Sequence, residues 1–579
     1  MVRKQFGWWR DKQISMVNGF NFQFKKAIYK LDFTLLFVII LSFLPLWSFV
    51  RPGIFSGHDT ESHIARLVVF YKSLSEGNII PRWAGDLNMG YGHPILMFLY
   101  PLSNYIGSFW HFLGFSFIDS VKITFGSAYI FSGLFMYLFG KEIVGKNGGL
   151  LMAVLYLFAP YRFVDLYVRA ALGEHLAFTF MPLVLYAYTL LIKSGSDKFL
   201  LLSSLSLSLL ILSHNAISLI FIPFFIFYLS IYYYFHRSGN KNIYKLIGSV
   251  LLGFLLAAFF WLPAFIEGKY TLRDILTKDA YLSHFPIPAK LLFSVKSIGG
   301  FDDMPLEIGL TNWLLVISGL YFLIKTKKRG LNYFLVMLLE LFFFATLFLL
   351  SRLSLVLWKN ITIIQKFQFP WRFLSMSVLT TSLLVMQFYM QNKKMSKKLV
   401  VFLSIVPILF SFYYWRPSVY LTKTDDFYIN NYQGTTDTGE SSPLWSIRGM
   451  EQKPKSTIEL IGGKGLINEV KRTTNTHIYK ISAKTNIQLL DNTVYFPGWV
   501  AKVDGKNVPI EYQDLNHIGL ITFNVPKGDH EVKLEFLDTK VRKVSNALSV
   551  IGFLIVFAIL VRQAVLKVEK LRKASEFNV

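Results

Sequence analysis

The sequence of 579 residues contains no cysteine. Disulfide bonds, thiol catalysis and cysteine-ligated metals are therefore excluded. A Walker motif, a GxSxG nucleophile elbow, an HExxH motif and paired Cys/His metal patterns are also absent. The sequence thus offers no evident binding site for a soluble nucleotide.

Charged residues are scarce as well. They make up 16% of the chain, whereas 53% of its residues are hydrophobic; soluble domains carry about 25% charged residues. Apolar runs recur between residues 32 and 415, and one more covers residues 545–561. Each run is close to the roughly 20 residues that cross a bilayer as a helix. The composition indicates a polytopic membrane protein and excludes a soluble enzyme, a nucleic-acid binder and a disordered chain.

The formal net charge of +25 lies mostly in short basic clusters between the apolar runs. Clusters of this kind mark cytoplasmic loops, so they do not indicate nucleic acid as a partner. All of them fall on one side if residues 94–115 form a re-entrant or surface segment of one large outer loop. The charges then predict about twelve transmembrane helices in the plasma (inner) membrane with both termini cytoplasmic. The predicted spans are residues 32–50, 119–140, 148–161, 175–193, 199–213, 216–235, 246–265, 306–324, 331–351, 372–391, 399–415 and 545–561.

The predicted fold is a polytopic α-helical membrane protein with a small extracytoplasmic all-β domain near its C-terminus. Residues 416–543 are rich in Thr, Asn, Asp, Gly and Lys, and the Asp504-Gly505 pair is a strong hairpin signal. The predicted domains are a basic cytoplasmic N-terminus (1–31), a transmembrane domain (32–415) whose first outer loop is 51–118, the β domain (416–543), and a last span with a cytoplasmic tail (544–579).

The first outer loop carries the candidate catalytic residues Asp59, Glu61 and His63. Apolar residues at helical spacing after them predict an amphipathic helix lying on the bilayer. Asp59, His63 and Arg66 would share one face of that helix, while Glu61 would point elsewhere. Alternatively, Asp59 is only an N-cap residue and His63 is merely solvated.

Two later outer segments hold further charges. Arg169 and Glu174 lie between two apolar spans, where charges are costly and indicate function by default; the alternative is an interfacial ion pair of Arg169 with Glu174 or Asp165. Lys366 and Arg372 flank a proline and could bind a lipid phosphate, or Arg372 could simply anchor the chain at the interface.

Several stretches of the sequence resemble known membrane proteins. "GHDTESHIARL", "NMGYGHPILMFLYPLSNYIGSFWHFLG", "LFAPYRFVDLYVRAALGEHLAF" and "QKFQFPWRFL" are similar to bacterial membrane proteins called 6-pyruvoyl-tetrahydropterin-synthase-related. "YFPGWVAKVDGKNVPI" and "VPKGDHEVKLEF", followed by a last span, resemble YfhO-type membrane proteins. The whole arrangement resembles the GT-C superfamily of integral-membrane glycosyltransferases. Nothing resembles the zinc-bound histidine cluster of the soluble pterin enzyme, so pterin chemistry is not implied.

The resemblance implies transfer of a sugar from a polyprenyl-phosphate-linked donor to a glycan, lipid or protein acceptor at the outer leaflet. The aspartate that GT-C enzymes place beside the acceptor matches Asp59. Arg66, Arg169, Glu174, Lys366 and Arg372 are then candidates for contacting the substrate and its lipid phosphate. Some superfamily members hold a divalent metal such as Mg²⁺ or Mn²⁺ with acidic residues, for which Asp59 and Glu174 are the matching positions.

Two other functions are compatible with the sequence. A transporter or flippase for lipid-linked glycans would be expected to carry ionisable residues near the middle of the membrane. A scaffold of an envelope complex would need no catalytic residues. The concentration of charges at the outer ends of the spans favours the enzyme.

Overall fold

The computed structural model describes residues 32–236, 241–292, 304–391, 396–417 and 419–576. The predicted cytoplasmic N-terminus (1–31) lies outside these residues. The longer helices are α1 (Phe33–Phe43), α2 (Thr60–Ser75), α3 (Leu102–Phe112), α4 (Phe117–Val144), α5 (Lys146–Leu157), α6 (Leu172–Ser194), α7 (Asp197–Ser213), α8 (Asn215–His236), α9 (Lys241–Leu256), α10 (Ala258–Glu267), α11 (Leu310–Lys325), α12 (Leu331–Leu350), α13 (Leu374–Leu383), α14 (Lys397–Ser411) and α15 (Lys540–Glu576).

The described chain contains seven helices that are long and apolar enough to cross a membrane, or up to nine if each of two bent pairs is one span. The bent pairs are residues 146–168, with an angle of 51°, and residues 243–270, with an angle of 67°. Every predicted span overlaps a helix, but α11 has only 16 residues and α7 only 17. A polytopic helical membrane fold is thus confirmed, whereas the count of twelve spans stays a prediction.

Residues 94–115 do not form one continuous helix. They fold as Ile95–Phe98 and α3, which has 11 residues, with extended backbone at Leu99 between them. Pro101 explains this break, because proline lacks a backbone N–H and disfavours helical backbone in the residue before it.

The predicted β structure is present and occupies residues 458–536. Its strands are β3 (Ile458–Gly462), β4 (Gly465–Arg472), β5 (Thr476–Ala483), β6 (Ile487–Val494), β7 (Trp499–Val503), β8 (Lys506–Val508), β9 (Leu520–Val525) and β10 (Gly528–Phe536); β1 (Ile54–Phe55) and β2 (Tyr420–Leu421) pair separately. A five-stranded sheet has the order β4–β5–β10–β7–β8, and a three-stranded sheet has the order β3–β6–β9, with antiparallel pairing throughout. The predicted turn at Asp504-Gly505 joins β7 to β8 with φ of 48° and 78°, as a type I′ turn requires.

Two arginine contacts fix the β region to the helices. Arg82 of the first loop donates to Asp538 at 2.7 Å, just before α15 begins. Arg542 of α15 donates to Glu267 of α10 at 2.8 Å and to the carbonyl of Pro497 at 2.6 Å. Because Arg542 is fully buried, Glu267 supplies the counter-charge that a buried guanidinium needs.

Asp491 is the polar centre of the β region. Its fully buried carboxylate accepts hydrogen bonds from Tyr479 at 2.6 Å and His477 at 3.0 Å, and Arg472 lies 3.5 Å away. Burial alone would raise the pKa of Asp491, but the hydrogen bonds and charges of His477 and Arg472 hold it below the ordinary value.

Asp491→Asn is expected to destabilise the β region by about 3–5 kcal/mol, because it removes the buried carboxylate that Arg472, His477 and Tyr479 contact. Unfolding of the purified protein in urea, followed by hydrogen exchange of the β5 and β6 amides, measures the loss. Since the folded pKa of Asp491 is depressed, its stabilisation is present above its ordinary pKa of about 3.9. The difference between wild type and variant should therefore disappear as the pH falls through the folded value.

The matched control is Asp514→Asn, in a half-buried pair with His517. Equal urea midpoints for wild type and Asp491→Asn would contradict the role given to Asp491.

Candidate functional site

The start of the loop 51–118 is held against the segment that precedes α6. The backbone N–H of His58 donates to the carbonyl of Val168 and that of Asp59 to the carbonyl of Arg169, both at 3.0 Å. Gly57 permits this approach, since a Cβ there would lie 2.6 Å from the Cβ of Ala170. Asp59 is thereby fixed beside Arg169.

Asp59 occupies the N-cap position of α2, but its side chain makes no capping hydrogen bond. Thr60 is used locally instead, because its hydroxyl oxygen accepts from the N–H of Gly57 at 2.9 Å. The carboxylate of Asp59 is exposed. The interpretation of Asp59 as only a helix cap is therefore wrong, and its carboxylate is available to a ligand.

The other charged residues of α2 contact protein. His63 is buried with its Nε2 2.9 Å from the carbonyl oxygen of Ala170, and Arg66 donates to Thr436 at 3.1 Å. Glu61 is half-buried and pairs with Lys423 at 2.8 Å. Burial and the charge of Arg66 hold the pKa of His63 well below 6.5, so its imidazole is neutral at pH 7. His63 therefore lies in the protein interior and is not merely solvated.

The sequence predicts that α2 lies with its apolar face on the bilayer. This prediction is wrong, because that face is buried in protein. Ile64, Leu67 and Val68 are buried within the protein, and α2 packs between α3, α4 and residues 427–431. Gly107 of α3 allows close packing, because a Cβ there would lie 2.9 Å from Leu67. Hydrophobic periodicity marks a buried face but does not distinguish lipid from protein as its partner.

A group of buried charges lies beside Asp59, centred on Glu174 at the start of α6. Arg169 makes a bidentate pair with Glu174, at 2.6 and 2.7 Å. Arg372, 198 residues further along the chain, donates its Nε to the same carboxylate at 2.8 Å. Arg169 also lies 3.2 Å from Asp165. The predicted pairing of Arg169 with Glu174 or Asp165 is thus present with both, and Arg372 joins it.

We call the five charged residues Arg162, Asp165, Arg169, Glu174 and Arg372 the outer cluster. Three guanidinium groups and two carboxylates leave it with one net positive charge, with histidines counted as neutral. Four of the five are buried, and the side chain of Arg372 is 14% exposed. Arg372 therefore forms the accessible side of the cluster.

The interior of the outer cluster contains polar atoms without protein partners. Nε and Nη1 of Arg162, Oδ2 of Asp165 and both ring nitrogens of His175 are buried and make no hydrogen bond. Arg162 lies against aromatic faces, with Phe178 4.2 Å from its guanidinium. The positive charge of Arg162 is thus only partly compensated by aromatic contact.

Lys366 does not belong to the outer cluster. Its ammonium group is exposed and lies 3.5 Å from Asp274.

The residues considered for a metal ion do not form a metal site. The described residues contain no group of three or more His, Asp or Glu side chains that could hold a metal. Glu174, one of the two positions considered for a metal, already contacts two arginines. Metal dependence stays a prediction that these residues do not support.

Tyr100 is a residue of the site that sequence reasoning did not single out. Its ring contacts that of His214 at a tilt of 33°, with centroids 4.7 Å apart, and lies against Gly173, where a Cβ would overlap it at 2.1 Å. Burial raises the pKa of Tyr100 to about 12, and four charged residues also act on it: Arg66, Asp59, Glu174 and Arg372. The loop aspartate and the outer cluster therefore influence the same hydroxyl. In the sequence, Tyr100 is marked only by its position before Pro101, in one of the stretches that resemble the family.

Residues 436–440, which lie in the chain between the helices and the β sheets, cover the site. Gln368 links the two parts, because Arg372 donates to its oxygen at 3.3 Å and its amide donates to Glu440 at 3.4 Å. Thr436 binds Arg66 from the same segment. The candidate site is thus bounded by Asp59 on one side, the outer cluster beneath and residues 436–440 above.

Glu174→Gln is expected to destabilise the protein by about 3–5 kcal/mol, because Arg169 and Arg372 would lose a shared buried counter-charge. Thermal unfolding in detergent measures the loss. Glu61→Gln is the matched control, since the Glu61–Lys423 pair is partly exposed and surface pairs contribute about 0.2–1 kcal/mol. Equal losses in the two variants would contradict the central position given to Glu174.

Acidification is expected to loosen the contact between α2 and residues 168–172. Because the folded pKa of His63 is depressed, the neutral imidazole contributes stability above about pH 6.5, and this is lost as the pH falls below it. The free energy of local opening should drop by up to about 1.4 kcal/mol per pH unit. The Leu172 amide lies 3.3 Å from Nε2 of His63. Its rate of hydrogen exchange, corrected for the intrinsic pH dependence of exchange, tests this prediction. His63→Gln should remove the pH dependence, and its persistence in that variant would refute the assignment.

Comparison with known proteins places the chain in a family. Residues 96–418 match the membrane-protein family described as "6-pyruvoyl-tetrahydropterin synthase related domain". A Lactococcus lactis subsp. cremoris protein described as uncharacterized is 26% identical over 268 residues, which are 44% of this chain and 42% of that protein. The chain thus matches less than half of that relative's length.

Three glycosyltransferase structures show low similarity to the chain. Arabinofuranosyltransferase AftD from Mycobacteria is 14% identical, with a TM-score of 0.39 over 66% of this chain and 26% of that one. Oligosaccharyltransferase AglB from Archaeoglobus fulgidus is 13% identical, with a TM-score of 0.37 over 71% and 61%. ArnT from Cupriavidus metallidurans, bound to undecaprenyl phosphate, is 8% identical, with a TM-score of 0.30 over 62% and 78%.

The family match covers more than half of the chain and confirms the resemblance drawn from the motifs. The protein belongs to the 6-pyruvoyl-tetrahydropterin synthase related family of membrane proteins.

Proposed function

We propose that the protein is a membrane glycosyltransferase that moves a sugar from a polyprenyl-phosphate donor to a cell-envelope acceptor on the outer face of the membrane. The observation that carries the proposal is the net positive, largely buried outer cluster beside the exposed carboxylate of Asp59. A buried net charge is costly unless a counter-ion binds. An anionic substrate whose reaction needs a general base fits both features, because the cluster would bind the anion and Asp59 would accept the proton.

Arg372 is the residue that reaches the donor phosphate. Its Nε donates to Glu174 and its Nη1 to the carbonyl of Phe367, while its Nη2 donates to no described residue. Its guanidinium also stacks over Phe369 at 4.9 Å, which fixes its plane. Arginine presents paired N–H groups that match phosphate oxygens. Arg169 adds positive charge behind it.

Asp59 acts as the general base. Its carboxylate takes the proton of an acceptor hydroxyl while the oxygen attacks the anomeric carbon of the sugar. The bond between that carbon and the phosphate oxygen breaks, and the polyprenyl phosphate leaves with the electron pair. Arg372 and Arg169 stabilise the charge on the leaving phosphate, so no general acid is needed. Attack opposite to the leaving group inverts the anomeric configuration.

Transfer of radiolabelled sugar from a panel of polyprenyl-phosphate donors, in membranes carrying the protein, tests the proposal. Asp59→Asn should lower the rate constant of transfer by about 10²- to 10⁴-fold. Arg372→Gln should weaken donor binding and so raise the KM for the donor. Asp86→Asn is the control, since Asp86 forms an exposed pair with Lys72 and should leave transfer unchanged.

Equal transfer by wild type and Asp59→Asn at equal expression would remove Asp59 from the mechanism. If wild-type membranes transfer no sugar from any donor in the panel, the transferase is rejected for those donors. A transporter or scaffold of lipid-linked glycans then becomes the better explanation of the outer cluster.

A further inference from the structure

A buried acidic side chain lies outside the outer cluster, in the middle of a membrane helix. Glu340 is the tenth residue of α12, a 20-residue candidate span. Its side chain is 3% exposed, and both carboxylate oxygens are buried without a hydrogen-bond partner. Carboxyl groups in such positions are rare because an unpaired charge is costly there, and they mark ion or proton sites by default.

The neighbouring helix leaves space for this carboxyl group. A Cβ on Gly319 of α11 would lie 2.0 Å from Oε1 of Glu340 and 3.3 Å from Leu384. The carboxyl therefore points at the backbone of α11 where residues after α13 also approach. Any other residue at position 319 would displace it.

Among the residues that the structure describes, no charged side chain pairs with Glu340. The elements packed against α12 are α8, α11, α13, residues 352–354, residues 370–373 and residues 386–391. Their titratable groups are Tyr228, Tyr232, Tyr233, Tyr234 and His236 on α8, Tyr321 and Lys325 on α11, and Arg352, Arg372 and Tyr389.

We propose that Glu340, whose carboxyl group lies against the backbone of α11 at Gly319, forms a proton-binding site in the middle of the membrane. Both of its carboxyl oxygens are buried acceptors without a donor. A bound proton removes the uncompensated charge. Glu340 is therefore carried as a neutral carboxylic acid. This inference does not rest on the proposed transferase activity.

Infrared spectroscopy of the full-length protein in lipid vesicles tests the proposal directly. A protonated carboxylic acid gives a C=O stretching band apart from those of carboxylates, and the band shifts in D₂O. At pH 7 we expect this band in wild type, its loss in Glu340→Gln and its retention in Glu142→Gln. Glu142 is the matched control because it is a paired glutamate at a helix end, 2.7 Å from Lys193.

A second variant covers the case in which Glu340→Gln does not fold. Glu340→Asp keeps the acid but moves it, so the band should persist at a shifted frequency. The proposal is overturned if wild type at pH 7 shows no band that depends on residue 340. It is also overturned if sodium chloride removes the band at constant pH when potassium chloride does not, because the site would then bind a metal cation in place of a proton.

Discussion

The pairing of Glu174 with two arginines is the contact on which the end of the helix bundle next to Asp59 depends. It joins three parts of the chain: the start of α6, the irregular segment that ends at Arg169, and the turn that carries Arg372. A carboxylate this deeply buried is tolerated only with such partners. Because the backbone of Arg169 in turn binds the N–H of Asp59, one ion-pair network sets the position of the candidate base relative to the candidate phosphate ligands.

Residues 436–440, which precede the β sheets, extend this constraint from the other side of the site. Arg66 binds Thr436, and Gln368 connects Arg372 to Glu440, so the segment before the β sheets is tied to the same charges. Arg542 fixes the far side through Glu267. Apart from the local contact of Arg372 with Gln368, these contacts join residues more than 70 positions apart. The covering segment is therefore part of the site's geometry. A ligand of the outer cluster would therefore meet both the helices and residues 436–440.

The sequence predicted local features well and long-range pairing poorly. Apolar run length located a helix at every expected span, and the Asp504-Gly505 turn was confirmed because turn chemistry is a local property. The contact of Arg372 with Glu174 was not predicted, because nothing in either local pattern indicates the other. The apolar face of α2 was correctly recognised but assigned to lipid, since periodicity reports burial without its partner. Glu340 was missed because a single acidic residue hardly lowers the hydropathy of α12.

The outer cluster and Glu340 are incomplete in opposite ways, and this separates their functions. The outer cluster has an excess of buried donors and positive charge, with unpaired nitrogens on Arg162, so an anion completes it. Glu340 presents only acceptors, so a proton completes it. Residues 370–373, which carry Arg372, pack against α12. Any coupling between the two sites would therefore run through the packing of α12 against this turn.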